Sequence, residues 1–375
     1  KEPNVEFLDD FSSDEMVMLP KHAVEARSGD IKDAANMVPG TGAFIWKKHT
    51  PGVGAQMERN PNYFRKGQPF LDWIKTVYIP DESTVISALL TGRIDFLNIT
   101  SSWRPSHMEG LKNRGGDKIK TYTFPGLQVF RLIYNVQKPP FNDVRVRRAF
   151  DLAIDQQGFN TAVLEGGADI AGYMPRWHKM SIPEQEVLAM PGFRPQKAAD
   201  IEEAKKLLKE AGNPTPAIQL NYRSPAANLV TASTLLQSNF AEIGAKVNLV
   251  GEELAVYNVT MSKRTYDMVL YIFTSPTPSP TNVLSAFFQS GAGRNYNGYS
   301  NPDFDRLSMA QATEVDPQKR KELVLEMQRI LFKDVPMSVT NWTKYNYATT
   351  SRVQNFNPGV GSRQMNRLDY VWVSS

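Results

Sequence analysis

Between residues 217 and 273 the apolar positions change period four times. Residues 217–222 alternate apolar and polar, 229–243 recur at helical spacing, 246–250 return to strand length, 254–263 are helical again, and 266–273 form an apolar, β-rich run. This predicts a βαβαβ series with right-handed crossovers and parallel strands. The carboxyl ends of the three strands then share one edge, so Arg223, Glu253 and Phe273 become neighbours. The last strand runs on into a proline and serine loop, a short apolar helix, and then Asn295, Tyr296, Asn297 and Tyr299. A strand that ends in a polar loop is where α/β proteins place ligands, and 266–305 reads as one wall of a binding cleft.

Elsewhere the pattern is mixed. Residues 11–26 are helical with Pro20 interrupting, and 43–47 and 55–59 form a hairpin. A strand at 74–79 leads to a helix capped by Asp81 and ended by Gly92, then a short strand at 94–97 and a loop at 98–105 with Trp103 and Arg104. Residues 126–135 are a long β-rich run, after which Asp143 caps a helix presenting Val146, Ala149, Phe150 and Ala153 on one face. Residues 165–199 show little periodicity and read as a connecting loop. Asp200 and Glu203 resemble a capping box for a helix that Gly212 and Pro214 end. Asp316 and Pro317 open a helix reaching 332, and 337–348 is strand-like around Asn341 and Trp342.

Composition narrows the class. A chain of 375 residues is long enough for two lobes. It has no apolar run long enough to span a bilayer and no cysteine, which removes disulfides, thiolate metal sites and cysteine nucleophiles. The net charge of +4 comes from signs mixed along the chain, which argues against a nucleic-acid stripe. His22, His49, His107 and His178 are scattered without metal-ligand spacing, and no P-loop or GxSxG elbow is present. No metal, no cofactor and no enzymatic activity is expected. Trp103, Phe273, Tyr296, Tyr299 and Trp342 either stack on a ligand or fill the core. Trp342 and Tyr296 stand beside polar partners, Asn341 and the pair Asn295 and Asn297, which favours a ligand role for them. Arg223 either grips an anion with its planar fork or is a solvated loop residue, and Glu253 reads as a helix cap.

Several motifs together resemble one family. PGTGAF, MERNPNYF and LDWIKTVYIPDESTVISALLTGRIDF, followed by PPFNDVRVRRAFDLAID, DIEEAKKLLKEAG and YNGYSNPDFDRL, are similar in order and spacing to the solute-binding proteins of ABC importers, in the large peptide, dipeptide and nickel class, family 5. The resemblance covers residues from about 36 to the C-terminus. It implies an α/β, two-lobed periplasmic-binding-protein fold of class II, with mixed sheets flanked by helices and a hinged cleft between the lobes. Residues 1–126 would form lobe I, with its N-terminal part incomplete, 127–335 lobe II, and 336–375 the return to lobe I. The chain crossings are expected near 126–135 and 334–341. The resemblance further implies a monomer in the periplasm or another extracytoplasmic location, lipid-anchored through a missing N-terminus, that delivers a small solute to an ABC permease and its ATPase. A sensor or chaperone module of the same fold is the alternative. Expected ligand contacts are Trp342, Asn341, Tyr296, Asn295, Phe273, Arg223, Trp103, Gln128, Phe130 and Arg294. Peptide-binding members hold the ligand's amino group with an aspartate on the loop after the strand that ends at Phe273. Here that position is Pro276, and nothing acidic stands between 268 and 302. A buried ammonium without a counter-charge costs several kcal/mol. A sugar or polyol, a peptide-like compound anchored differently, or an anion is therefore the expected solute.

Overall fold

A computed structural model describes residues 3–11, 18–26, 40–97, 103–212, 217–357 and 364–374. Along the chain come helices α1 (Phe7–Phe11) and α2 (Lys21–Glu25), then strands β1 (Phe44–Thr50), β2 (Gly54–Arg59) and β3 (Trp73–Val77). Helices α3 (Glu82–Leu90) and α4 (Pro105–Gly115) precede the long strand β4 (Ile119–Tyr134). Next are α5 (Val144–Ala153), α6 (Gln156–Leu164), β5 (Ala168–Ile170), α7 (Glu184–Ala189) and α8 (Lys197–Glu210). The βαβαβ series is β6 (Ile218–Arg223), α9 (Ala227–Glu242), β7 (Val247–Glu252), α10 (Leu254–Lys263) and β8 (Met268–Thr274). A π-helical turn, Thr281–Ser285, continues into α11 (Ala286–Phe288). The chain ends with α12 (Pro302–Thr313), α13 (Pro317–Asp334), β9 (Met337–Thr350), β10 (Val353–Gln354) and β11 (Trp372–Val373).

Two compact units emerge. The larger consists of Lys1–Ser12 and Pro125–Lys344, the smaller of Ser13–Phe124 and Tyr345–Ser375. The smaller unit holds the antiparallel sheet β1-β2-β3, with the expected hairpin between β1 and β2. Asp81 caps α3 by accepting from Thr84 N at 2.7 Å. Leu89, Trp103, Met108, Leu111 and Ile119 form its core. The strand expected at 94–97 is reduced to a single bridge between Phe96 and Thr349.

The larger unit is built on a six-stranded sheet of order β5-β9-β4-β8-β6-β7. β6 pairs parallel with both β7 and β8, as the periodicity predicts, while β4 and β8 are antiparallel. Side chains of β4 alternate between two cores, as the pleat demands. Phe130, Leu132 and Tyr134 join the core formed with α5, α6, α8 and α9. Val129 and Ile133 join a second core formed with α10 to α13. Burying each set against helices on its own face is what makes both faces of the sheet apolar.

Three local expectations are corrected. Residues 165–199 contain β5 and α7. α8 starts at Lys197, so Asp200 lies inside the helix with no exposed surface and accepts from Gly192 N at 3.0 Å. It pairs with Arg194 at 2.5 Å and Lys197 at 3.3 Å. A cap sits in water at a helix start; this carboxylate is an internal ion-pair centre instead. Glu253 precedes α10 as expected, but its side chain makes no capping hydrogen bond.

Candidate ligand-binding edge

Parallel pairing aligns the ends of β6 and β7, with Arg223 opposite Glu252, and β8 ends nearby at Thr274. Because β4 runs against β8, Gln128 stands opposite Thr274, and its Nε2 donates to Thr274 Oγ1 at 3.1 Å. Thr343 of β9 donates to the Gln128 carbonyl at 3.3 Å. Gln128, Thr274 and Thr343 thus cluster at the end of β8, while Arg223 and Glu252 end the adjoining strands short of that point in the register. Glu252 is already engaged, accepting from Asn221 Nδ2 at 2.9 Å and Thr260 Oγ1 at 3.0 Å. Lys344, next along β9, is paired with Asp169 at 3.1 Å.

The loop leaving β8 is closed by its own hydroxyls. Ser275 N donates to Leu127 O at 2.9 Å and Ser275 Oγ to Thr277 O at 2.6 Å. Asn282 Nδ2 donates to Thr277 Oγ1 at 2.8 Å and to Asp10 Oδ1 at 3.1 Å. Glu6 accepts from Thr281 N at 3.4 Å and is ion-paired with Arg320. The carboxylates beside this loop therefore come from the segment around α1, a placement that the sequence between 268 and 302 cannot reveal.

Beneath the loop lies Arg131, on the β4 face that Val129 and Ile133 share. It has no exposed surface. Its Nη2 donates to Val283 O at 3.1 Å, while Nε and Nη1 have no hydrogen-bond partner among the described residues. The guanidinium lies 4.1 Å from the Phe287 ring centre and 5.0 Å from that of Phe273. Both rings offer their negative faces to the charge. Burial lowers the Arg131 pKa to about 9; Tyr271 and Tyr173 pull it up and Arg294 pushes it further down. Arg294, half-buried, lies 5.2 Å from the same Phe273 ring.

The turn that follows is pinned from several sides. Asn295 Nδ2 donates to Gln289 O at 3.0 Å and Tyr299 O at 2.8 Å, and its Oδ1 accepts from Tyr299 N at 3.1 Å. Tyr266 Oη and Arg264 Nε both reach Tyr296 O, at 2.8 and 3.0 Å. Gly298 has φ +74°, a left-handed conformation that favours glycine, and a Cβ there would meet the flexible Gln137 side chain at 2.6 Å. Tyr299 Oη donates to Asp334 at 2.5 Å. The Tyr296 ring itself stands edge-on to Tyr271 at 5.9 Å and is half-buried.

Of the expected ligand contacts, the fold gathers Gln128, Phe273 and Arg294 around the end of β8, with Tyr296 beside them through Tyr271. Arg223 is exposed at the end of β6. Trp342 is 2% exposed, donates Nε1–H to Gly172 O at 2.9 Å and packs in the second core. Asn341 is fully buried, and neither polar atom of its side-chain amide has a partner among the described residues. Phe130 lies in the first core, edge-on to Phe159 at 5.4 Å. Trp103 is in the core of the smaller unit, where its carbonyl accepts from Asn346 Nδ2 at 2.8 Å. Arg131 escaped sequence reasoning. Its signal was a charged residue at a core-facing position inside the run LQVFRLIYN. Among the described residues no group of three or more His, Asp or Glu side chains could hold a metal ion, and no helix is long and apolar enough to cross a membrane.

Residues 3–295 match the family described as bacterial extracellular solute-binding proteins, family 5, middle. The chain belongs to this family of solute-binding proteins, as the motif resemblance anticipates. It is 28% identical over 326 residues to the periplasmic oligopeptide-binding protein OppA of Escherichia coli, a match covering 84% of this chain and 57% of that protein. The chain therefore spans little more than half the length of such curated relatives. Its fold is similar to that of the periplasmic binding protein DppA of Helicobacter pylori in complex with the peptide STSA, with TM-score 0.83 and 22% identity, covering 100% of this chain and 71% of the other. It is also similar to AgaA from A. tumefacien R10 in complex with agropinic acid, with TM-score 0.80 and 20% identity over 100% of this chain and 74% of that one. The fold is accordingly that of the type II periplasmic binding proteins.

Proposed function

We propose that this chain captures a small organic solute outside the cytoplasm and delivers it, chemically unchanged, to an ABC permease driven by its ATPase, and that it does so as a monomer. The observation that carries the reading is the edge at the end of β8. There Gln128 and Thr274 stand beside a loop with no acid of its own, Arg294 and Tyr296 flank it, and the exposed Arg223 ends the neighbouring strand β6. Such an edge offers amide, hydroxyl, aromatic and cationic groups, a set suited to a sugar-like, N-blocked or anionic solute. Solved structures of this fold include one with a peptide and one with agropinic acid, so neither class is foreign to it. Native mass spectrometry of protein purified without refolding should show a co-purifying molecule that leaves with its mass unchanged. A bare protein mass, together with a melting temperature that no sugar, peptide or organic acid raises, would remove the support for solute capture.

A second reading has one specific observation in its favour. Asp10, half-buried, accepts from Asn282 beside the β8 loop, so an acid is present there from outside the loop. A peptide ammonium anchored by Asp10 would stabilise the protein, whereas the N-acetylated form of the same peptide would not. Equal shifts from both forms exclude this anchor.

A further inference from the structure

Several buried charges of the larger unit are paired within it. Asp200 is held by Arg194 and Lys197, Asp169 by Arg176 and Lys344, and Glu6 by Arg320. Arg147 spends its donors on the carbonyls of Phe141, Asp334 and Val335. Arg131 is not paired in this way. It is fully buried, and among the described residues it has one hydrogen bond, two idle nitrogens and no ion pair with a carboxylate. Arg294 approaches the same phenyl ring and likewise has no ion pair among the described residues. Since each guanidinium carbon is about 5 Å from the centre of Phe273, the two like charges are no more than about 10 Å apart. Aromatic faces offset part of this repulsion, but they do not neutralise it. Two cations gather here without an ion pair to either among the described residues, the nearby acids around α1 being engaged by Arg320 and Asn282, so the place keeps a positive potential.

We propose that Arg294, Phe273 and Arg131 form an oxyanion subsite, and that the solute carries a carboxylate or a phosphate. The proposal rests on the solute-binding reading and names the chemical class of the solute. Arg294, half-buried, meets the anion directly with its planar fork. Arg131 acts from beneath Phe273 as a positioning residue: it supplies fixed charge that water cannot screen, and at neutral pH it stays cationic despite its burial. Tyr271 and Tyr296, edge-on to one another next to this ring, provide an aromatic surface for the body of the solute.

The test uses three probes at constant ionic strength: benzoate, its neutral isostere benzamide, and inorganic phosphate. Benzoate or phosphate should raise the melting temperature of the purified chain while benzamide does not, and which of the two acts tells a carboxylate solute from a phosphate one. Arg294→Gln should weaken the active probe about tenfold or more, the loss expected for a charged hydrogen bond, and Arg294→Lys should recover part of it. If benzoate and benzamide act alike and phosphate is inert, or if Arg294→Gln binds as the parent does, the subsite is wrong. A neutral co-purifying solute retained by Arg294→Gln would also overturn it while leaving solute capture standing. Absence of any bound molecule would instead strike at the capture reading itself.

Discussion

Asp200 and Arg131 are both fully buried, one on each side of the same sheet, and the fold treats them oppositely. Asp200, in the helical layer over the first face, receives a backbone N–H and two cations within 3.3 Å. Arg131, on the second face, receives one carbonyl and two rings. A buried charge that is paired and hydrogen-bonded is a structural element, whereas one left without a counter-charge carries a standing cost. The paired acid lies in a helical layer away from the end of β8, while the unpaired cation lies beneath the loop that leaves that strand. The fold neutralises Asp200 where that acid serves packing, and among the described residues it leaves Arg131 without an ion pair beside the edge where binding is proposed.

Substitutions at buried residues on both faces of the sheet test this contrast. The largest effect is expected from Trp342→Ala, which empties part of the second core and strands the Gly172 carbonyl. It should lower the stability of the unliganded protein by about 4 kcal/mol in chemical denaturation. A loss below about 1 kcal/mol would mean that the indole serves a ligand more than the core. Asp200→Ala should cost about 3 kcal/mol, because Arg194 and Lys197 are then left without their acid. A neutral outcome would erase the contrast with Arg131.

Asp151, in α5 on the first face, comes next. Burial raises its pKa from 3.8 to about 6, against the lowering influence of a Ser338 hydrogen bond, Lys197 and Arg148, and with the Asp200 charge adding to the rise. The folded protein thus binds this proton more tightly than the unfolded chain does. Its contribution favours folding below about pH 4 and is lost as pH rises through about 6. Asp151→Asn should therefore stabilise the protein by about 2 kcal/mol at pH 8 and by nothing at pH 4, read from denaturation midpoints at the two pH values. A gain independent of pH would contradict the assignment. The smallest effect belongs to Arg131→Met, which exchanges an uncompensated charge for an apolar side chain of similar length. Stability without solute should change by no more than about 1 kcal/mol, or rise. A loss of 3 kcal/mol or more would show that the two rings and the Val283 carbonyl already satisfy Arg131, and would set it beside Asp200.

Sequence by itself determined the local and periodic features. The period shifts between 217 and 273 gave the parallel βαβαβ series, because the side-chain repeat of each element is a local property. Caps at Asp81, Asp143 and Asp316 were legible for the same reason, since each acts on an N–H two or three residues away. The ordered motifs identified the family. Tertiary structure alone decided where isolated polar and aromatic residues went. Whether Trp342 lined a cleft or a core depended on Gly172, and whether Asp200 capped a helix or centred an ion cluster depended on Arg194. The meeting of Arg131, Phe273 and Arg294 depended on β4 pairing with β8 and on the turn after α11 folding back beside them. Such meetings join residues far apart in the chain, and no local period encodes them.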